Sequence, residues 1–554
     1  MQVIKRLLYT GCLLIPATLF SQSTLLPQGY KHQQLMDRLE IRFRDSALSF
    51  QQMKPFDRRG WVTVLESTPA EELSVVDAHN LQSALMNNQE WVSGSKESFL
   101  SKKAIFNTFY KTKSDFALVD VKDFFLSINP VLQFSVSKES DTDETLFQNT
   151  KGVRGRGMIA KKIGFDFYLT DNQERAPWFV RQFEDSFLSV PGAGFYKPFK
   201  NTAYDYFDAR GSVFFNVTKY INVQFGYDKN FIGNGYRSLF LSDFGNNYLF
   251  LKLNTRIWKL NYQNIFMELT PQEPKNVDDH LLGKKYAAMH HLSLQATKWL
   301  NIGFFESVVF GRKNKFEFTY LVPVIFLRSL EQQNGSADNA NVGIDFKANV
   351  AKKFQFYGQM LFDEFKLSEM KGGRKWWGNK YALQLGGKYI DVFGIKNLDI
   401  QGELNWVRPF MYSFRDSVAN YTHYNQPLAH PRGANFTEAI GIARYQPIPK
   451  LTIQGKLIVW KQGLDSAGSN FGSNIFSLYG TRPRDYGWNI GEGRKSTGVN
   501  ASLWVGYELK ENLFIDGSLM LRKYDVPDDA ALTRNSSMFT LGLRMNMFRR
   551  EYDY

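Results

Sequence analysis

At 554 residues the chain is long for one ordinary domain. Past its N-terminal segment, a mean hydropathy of −0.35 goes with no apolar stretch long enough to cross a bilayer as a helix. Aromatic residues make up 16%, with 48 Phe and 27 Tyr, which suits a barrel apolar only on its outer face, although a soluble β-solenoid or sandwich shares that composition. The net charge of +14 fits nearby anionic lipid head groups or acidic polysaccharide, or lysines scattered on turns; export, argued next, speaks against nucleic acid.

Lys5 and Arg6 precede an apolar run, Leu7 to Phe20, which ends at Ser21, Gln22 and Ser23. This is the layout of a secretory signal peptide over 1–21, with cleavage expected just before Gln22. Thr10-Gly11-Cys12 resembles the end of a lipobox, so a lipid anchor on Cys12 is the alternative. Cys12 is the single cysteine, so the mature chain without it has no disulfide, thiolate metal site or cysteine nucleophile.

Residues 22–115 read as a small helical or mixed region, periplasmic or lumenal. Within it, Glu97 to Tyr110 has the spacing of an amphipathic helix. From 116 to 554 strand signals dominate. In 397–407, Leu398, Ile400, Leu404 and Trp406 alternate with Asp399, Gln401, Glu403 and Asn405. Period two places the two sets on opposite faces, with core or lipid on the apolar one.

Fifteen strands are read near 206–217, 220–228, 247–257, 259–268, 288–297, 300–310, 341–350, 353–365, 381–390, 397–407, 437–446, 450–460, 498–508, 512–523 and 537–548. The links between them alternate tight and long, apart from an intermediate one at 391–396. Transmembrane barrels do this, with short periplasmic turns and long extracellular loops; a soluble sandwich has no reason to. Earlier partners are sought at 116–121, 124–136 and 157–169. The expected fold is therefore all-β: an outer-membrane antiparallel barrel of about 18 strands.

Few motifs carry chemistry. Gly152-Val153-Arg154-Gly155-Arg156-Gly157 resembles a phosphate-cradling loop, but a strand follows it rather than a helix, so it reads as a flexible turn. His290 and His291 are neighbours on a strand and point to opposite faces, so they do not chelate one metal. His423 and His430 share a long loop, where loop geometry permits many such pairs. Asp363-Glu364 and Glu184-Asp185 are acidic pairs; a glycosidase needs two carboxylates spaced across a cleft, and Asp363-Glu364, as strand neighbours facing opposite ways, is not that pair. No cofactor, metal or catalytic set is expected. Arg374-Lys375-Trp376-Trp377, in loop 366–380, could stack on sugar rings and bind acidic groups, or form part of an interfacial girdle.

Four stretches are more specific. They are Phe231-Ile232-Gly233-Asn234-Gly235-Tyr236-Arg237-Ser238-Leu239, Leu321 to Glu331 leading into Gly335-Ser336-Ala337-Asp338-Asn339, Tyr357 to Phe365, and Tyr421-Thr422-His423-Tyr424-Asn425-Gln426-Pro427-Leu428-Ala429-His430-Pro431 with Arg432 to Phe436. Together, from about 100 to the end, they resemble the Wzi-like capsule-assembly family of outer-membrane proteins, and most closely its Bacteroidetes members, the RemB-type gliding-motility proteins. The resemblance implies an 18-stranded outer-membrane barrel with N-terminal helical elements. It implies a non-enzymatic role at the cell surface, in polysaccharide assembly or attachment, in gliding motility, or in both, with membrane lipid, surface polysaccharide and motility proteins as partners. A passive or solute-selective pore is the alternative. Candidate glycan contacts are Arg374, Lys375, Trp376, Trp377, Tyr421, His423 and Tyr424. Pro323, Arg328 and Glu331 are read as shaping a loop packed inside the barrel, and Asn425-Gln426-Pro427 as fixing a loop turn.

Overall fold

A computed structural model describes residues 23–273, 281–324, 326–466 and 468–554; the expected signal peptide over 1–21 and Cys12 lie outside them. Eighteen antiparallel strands close into a barrel: β1 Phe124–Glu139, β2 Thr145–Ile159, β3 Ile163–Arg175, β4 Ala203–Asn216, β5 Ile221–Asp228, β6 Tyr248–Ile257, β7 Leu260–Leu269, β8 Lys285–Gln295, β9 Leu300–Phe310, β10 Asn339–Val350, β11 Phe354–Phe362, β12 Tyr381–Tyr389, β13 Leu398–Val407, β14 Phe436–Ile448, β15 Leu451–Leu464, β16 Arg494–Lys510, β17 Leu513–Asp525 and β18 Arg534–Met545. The last strand pairs with the first through Leu132–Glu139 and closes the ring. One rim carries eight short turns, and the other carries the long loops.

The faces decide the solvent. On β13, Ile400 and Leu404 are exposed, while Asp399, Gln401, Glu403 and Asn405 are buried. On β1, Phe134 and Val136 are exposed and Gln133 and Ser135 are buried. A water-soluble sandwich has the opposite polarity. An apolar outside around a polar inside is the arrangement of a barrel in lipid. No helix among the described residues is long and apolar enough to cross a membrane, so the strands make the crossing.

Three sequence expectations for β1–β3 need correction. Segment 157–169 is not one strand; it spans the turn of the β2–β3 hairpin. Segment 117–121 lies outside the ring and pairs only with the start of β1. The glycine-rich motif is the middle of β2 and not a turn. A Cβ at Gly155 or Gly157 would run into the rings of Phe167 or Phe165 on β3, so the glycines let those rings lie across the strand. Arg156 points inward to Glu90 at 2.9 Å.

The N-terminal region fills the short-turn end. Helices α1 Gln33–Phe43, α2 Arg58–Ser67 and α3 Val75–Met86 pack on Leu35, Met36, Leu39, Trp61, Leu65 and Ala84. Side-chain caps start two of them, Asp57 accepting from Gly60 N and Ser74 from Asp77 N. Ion pairs seat the bundle on the wall: Arg38 meets Asp391 at 2.9 Å and Asp399 at 2.5 Å, Lys347 meets Glu40 at 2.5 Å, and Lys388 meets Asp37 at 2.8 Å. The helix expected over Glu97–Tyr110 is replaced by one short 3-10 turn, Glu97–Phe99, and a hairpin pairing Leu100 with Thr112 and Ile105 with Phe109.

Loops fill the other end. Loop 229–247 descends until Ile232 pairs with Met53 and Gly233 N donates to Gln52 O at 2.8 Å. Loop 408–435 packs beside it, with the Tyr412 and Tyr421 hydroxyls donating to Leu239 O and Phe240 O at 3.0 and 2.7 Å. After β18, segment 546–554 turns back into the lumen. Tyr552 donates to Glu174 at 2.7 Å, Asp553 meets Arg237 at 3.1 Å, and the Tyr554 ring reaches Phe183 and Phe244.

Loop 311–338 runs on the outside of the wall, not inside as expected. Phe266, Tyr286, Ala288, Val308 and Phe310, all of outward parity, bury Tyr320 and Leu327 against them. Helix α5, spanning Leu327–Gln333 after α4 Trp178–Phe187, is held by outward-facing Glu306, which accepts from Phe326 N and Leu327 N at 2.7 and 2.9 Å and meets His290 at 2.9 Å. Arg328 and Glu331 pair on this helix. His291 faces the lumen and meets Asp345 at 2.6 Å.

Candidate functional site

The cation–aromatic motif Arg374-Lys375-Trp376-Trp377 lies on the long-loop rim and has a partner. Loop 465–493 carries Arg482, Arg484, Tyr486 and Trp488 at every second position, and the two loops run side by side. Trp377 N donates to Asp485 O, Gly487 N to Arg374 O and Trp488 N to Lys375 O, at 2.9, 2.9 and 3.0 Å. Trp377 and Trp488 pack with Phe410 into a buried core under the joined loops. Trp377 is closed in by Arg482 at 3.9 Å from its ring centre and by Tyr479 at 4.8 Å. Trp376 is half-buried and lies across Gly378, where a Cβ would meet its ring.

What faces outward is a strip of cations on rings. The Arg374 guanidinium lies 4.4 Å from the Tyr486 ring centre, and Arg484 lies 4.9 Å from that of Trp488. Lys375 donates to Asn489 at 2.7 Å. Arg374 is also paired with Glu369 at 2.7 Å, and Arg484 with Glu492 at 3.0 Å. The side chains of Arg374 and Arg484 are 58% and 46% exposed. Pairs this wet contribute little stability and exchange readily for a ligand carboxylate.

Below the strip, buried Lys380 ties the loops to the barrel mouth. It meets Asp363 at 2.9 Å and donates to Ser413 O at 3.2 Å, while Asp363 accepts from Tyr412 N at 3.2 Å. Burial raises the Asp363 carboxyl above its usual range, with Lys380 opposing and Glu364 adding to the rise.

The remaining sequence candidates lie elsewhere. Tyr421 and His423 are buried in loop 408–435. His423 Nδ1 accepts from Thr270 N at 3.0 Å and Nε2 donates to Asn247 O at 2.9 Å, which fixes a neutral ring. Burial lowers it to about 4. Tyr424 is half-buried and packs on Phe195 at 4.3 Å between ring centres. His430 meets Glu438 at 2.9 Å and shares no partner with His423. Among the described residues no group of three or more His, Cys, Asp or Glu could hold a metal ion. The sequence reading missed Arg482, Arg484, Tyr486 and Trp488, although their period of two was a usable signal.

No protein-family model and no curated protein matches the sequence. Among solved structures, Wzi of Escherichia coli, an outer-membrane protein involved in group 1 capsule assembly and described as a carbohydrate-binding β-barrel, aligns over 95% of this chain and 99% of its own, with 12% identity and a TM-score of 0.55. OprD of Pseudomonas aeruginosa aligns over 76% of this chain and 94% of its own, with 11% identity and a TM-score of 0.42. At such identity the likeness to Wzi is one of fold. With the apolar outer face, it places the chain among outer-membrane β-barrels.

Proposed function

We propose that this chain is a closed, non-catalytic outer-membrane barrel that holds an acidic surface polysaccharide on its joined extracellular loops. The observation that carries this reading is the strip in which Arg374 and Arg484 lie over Tyr486 and Trp488. Aromatic faces stack on sugar rings, and the guanidiniums meet carboxylates in bidentate fashion. The carbohydrate-binding description of Wzi and the resemblance to its family support it. Exposed Arg374, Lys375, Arg484 and Tyr486 and half-buried Trp376 are the contacts; Trp377, Tyr421 and His423 hold the loops in shape, and Tyr424 braces them from below.

The test uses purified barrel and the capsule or exopolysaccharide of the source strain. The double substitution Arg374→Ala and Tyr486→Ala weakens binding about tenfold or more, from the loss of one charge-assisted contact and one stacking contact. Affinity equal to that of the parent protein counts against the reading. In cells, a deletion strain that sheds surface polysaccharide yet spreads normally separates it from gliding motility, which rests on the RemB-type resemblance alone. A pore is the second reading. The observation behind it is a cavity of about 140 Å³ inside the barrel, lined in part by Arg549, Arg550 and Tyr552.

A further inference from the structure

The short turns of this protein are consistently basic. The eight short turns are 160–162, 217–220, 258–259, 296–299, 351–353, 390–397, 449–450 and 511–512. Each contains a lysine except the last, which follows Lys510 directly. Their carboxylates are Asp391 and Glu511, and both face the N-terminal region that plugs this end of the barrel, Asp391 paired with Arg38 and Arg42 and Glu511 with Lys31. The eight turns therefore show solvent lysines and no free acid, although Asp120 and Asp123 on the neighbouring segment and Glu71 and Glu72 of the N-terminal region are exposed at the same end. The opposite rim is mixed: loops 140–144 and 526–533 hold acids and no lysine or arginine, while loops 311–338, 363–380 and 465–493 carry cations beside carboxylates.

Four of these turns also hold up an aromatic ring beside the lysine. They are Tyr220 with Lys219, Trp258 with Lys259, Trp299 with Lys298, and Phe393 with Lys396. The rings are exposed, Trp258 by 78% and Phe393 by 87%. Lys219 lies 4.8 Å from the ring centre of Tyr220, and Lys259 lies 5.6 Å from that of Trp258. Trp258 and Phe393 also take positive φ, 54° and 52°, a region that favours glycine or asparagine over a bulky ring. Positive φ recurs in short turns without a ring, at Lys161, Lys352 and Lys450, so it belongs to the hairpin geometry, whereas a turn that only reversed the chain in water would have no use for an exposed ring. The rings continue the lipid-facing belt: Val217, Ile257, Ile302 and Ile395 beside them are exposed as well. Aromatic rings settle at head-group depth, and lysines beside them reach the phosphate level.

We propose that the short-turn rim is a docking surface for anionic phospholipid head groups in the periplasm-facing leaflet. The partner is phosphate carried on a lipid, and not a soluble acidic polymer, because the exposed rings beside the lysines continue the apolar outer face of the barrel and sit at head-group depth. The attraction is electrostatic, adds over several turns and weakens with salt.

The test uses the full-length barrel reconstituted in vesicles of phosphatidylcholine with a minority of phosphatidylglycerol. It is then extracted in mild detergent, and its retained lipid is weighed by mass spectrometry. The parent protein retains phosphatidylglycerol about fivefold over its share in the vesicle, and high salt removes the excess. The quadruple variant Lys219→Gln, Lys259→Gln, Lys298→Gln and Lys396→Gln loses about half of the enrichment or more, since Lys161, Lys162, Lys352, Lys353, Lys450 and Lys510 remain; the four Lys→Arg changes keep it. Heat-modifiable gel mobility, unchanged in all three, shows that the barrel is folded. Parent protein at the vesicle ratio, or undiminished enrichment in the Gln variant, overturns the proposal. So does displacement of the lipid by soluble polyglutamate, which would make the rim a site for acidic polymers.

Discussion

His423 shows how a residue that looks chemical in sequence can be structural. Its ring accepts one backbone hydrogen bond and donates another, a pattern open only to the neutral imidazole. Held at about 4 instead of near 6.5, it binds fewer protons in the folded state than in the unfolded one across that interval. Its contribution is therefore complete above pH 6.5 and is lost as pH falls from 6.5 toward 4, by up to about 3 kcal/mol. Thermal unfolding of the detergent-solubilised protein should show this slope, and His423→Gln, which keeps an acceptor and a donor without a titrating ring, should flatten it. An equal slope in the variant would assign it to other groups. The surface strip was half legible: Arg374-Lys375-Trp376-Trp377 stands out as a run, whereas its partner alternates with Pro483, Asp485 and Gly487. Nor does sequence tell which of two adjacent tryptophans faces solvent. That depends on loop 465–493 crossing above Trp377, a contact more than a hundred residues away.

Among the elements, strands were legible wherever outward side chains were apolar and inward ones polar, as on β13. They were hidden where a neighbour supplied the outer surface. β2 lacks its own apolar row at Gly155 and Gly157 because the rings of Phe165 and Phe167 cover it. Likewise, apolar loop 311–338 fits a packed lumen and a lipid-facing wall equally well by composition. Only the mixed, helix-containing character of the N-terminal region was legible. Its one named helix, Glu97–Tyr110, is a 3-10 turn and a hairpin, the helices lie at 33–43, 58–67 and 75–86, and the ion pairs that seat them span more than three hundred residues. Arg38 satisfies Asp77, Asp391 and Asp399 together. Replacing it by Met leaves buried carboxylates without their main cation, and cutting one partner from such a network costs about 3–5 kcal/mol. The expected result is a barrel that still resists unfolding in cold detergent while residues 23–115 become open to protease. Protection equal to the parent's would mean that the remaining pairs, Lys347 with Glu40 and Lys388 with Asp37, suffice to hold the plug.

For the whole molecule, the question is what keeps a barrel of 18 strands shut, since a wall of this size can enclose a water-filled channel. The closure is built in series. The helical plug blocks the periplasmic end, loop 229–247 meets it at Met53 and Ile232, and segment 546–554 occupies the space between them and the wall of β15–β18. The 140 Å³ cavity beside that segment and a second one, of about 60 Å³ against the N-terminal region, are neighbours that share Arg544 in their walls. Deleting residues 549–554 enlarges the outer cavity and frees inward Lys456, Arg237 and Glu174 to hydrate, yet the plug still stands below it. Arg38→Met loosens the plug, yet the segment still stands above. Barriers in series predict a non-additive outcome in planar bilayers: the parent protein and each single change stay silent, and the combined variant conducts. Steady conductance from the parent protein would show that the two cavities already join, and the pore reading would then displace the closed one. Silence from the combined variant would place the seal in loops 229–247 and 408–435, whose packed apolar core neither change touches.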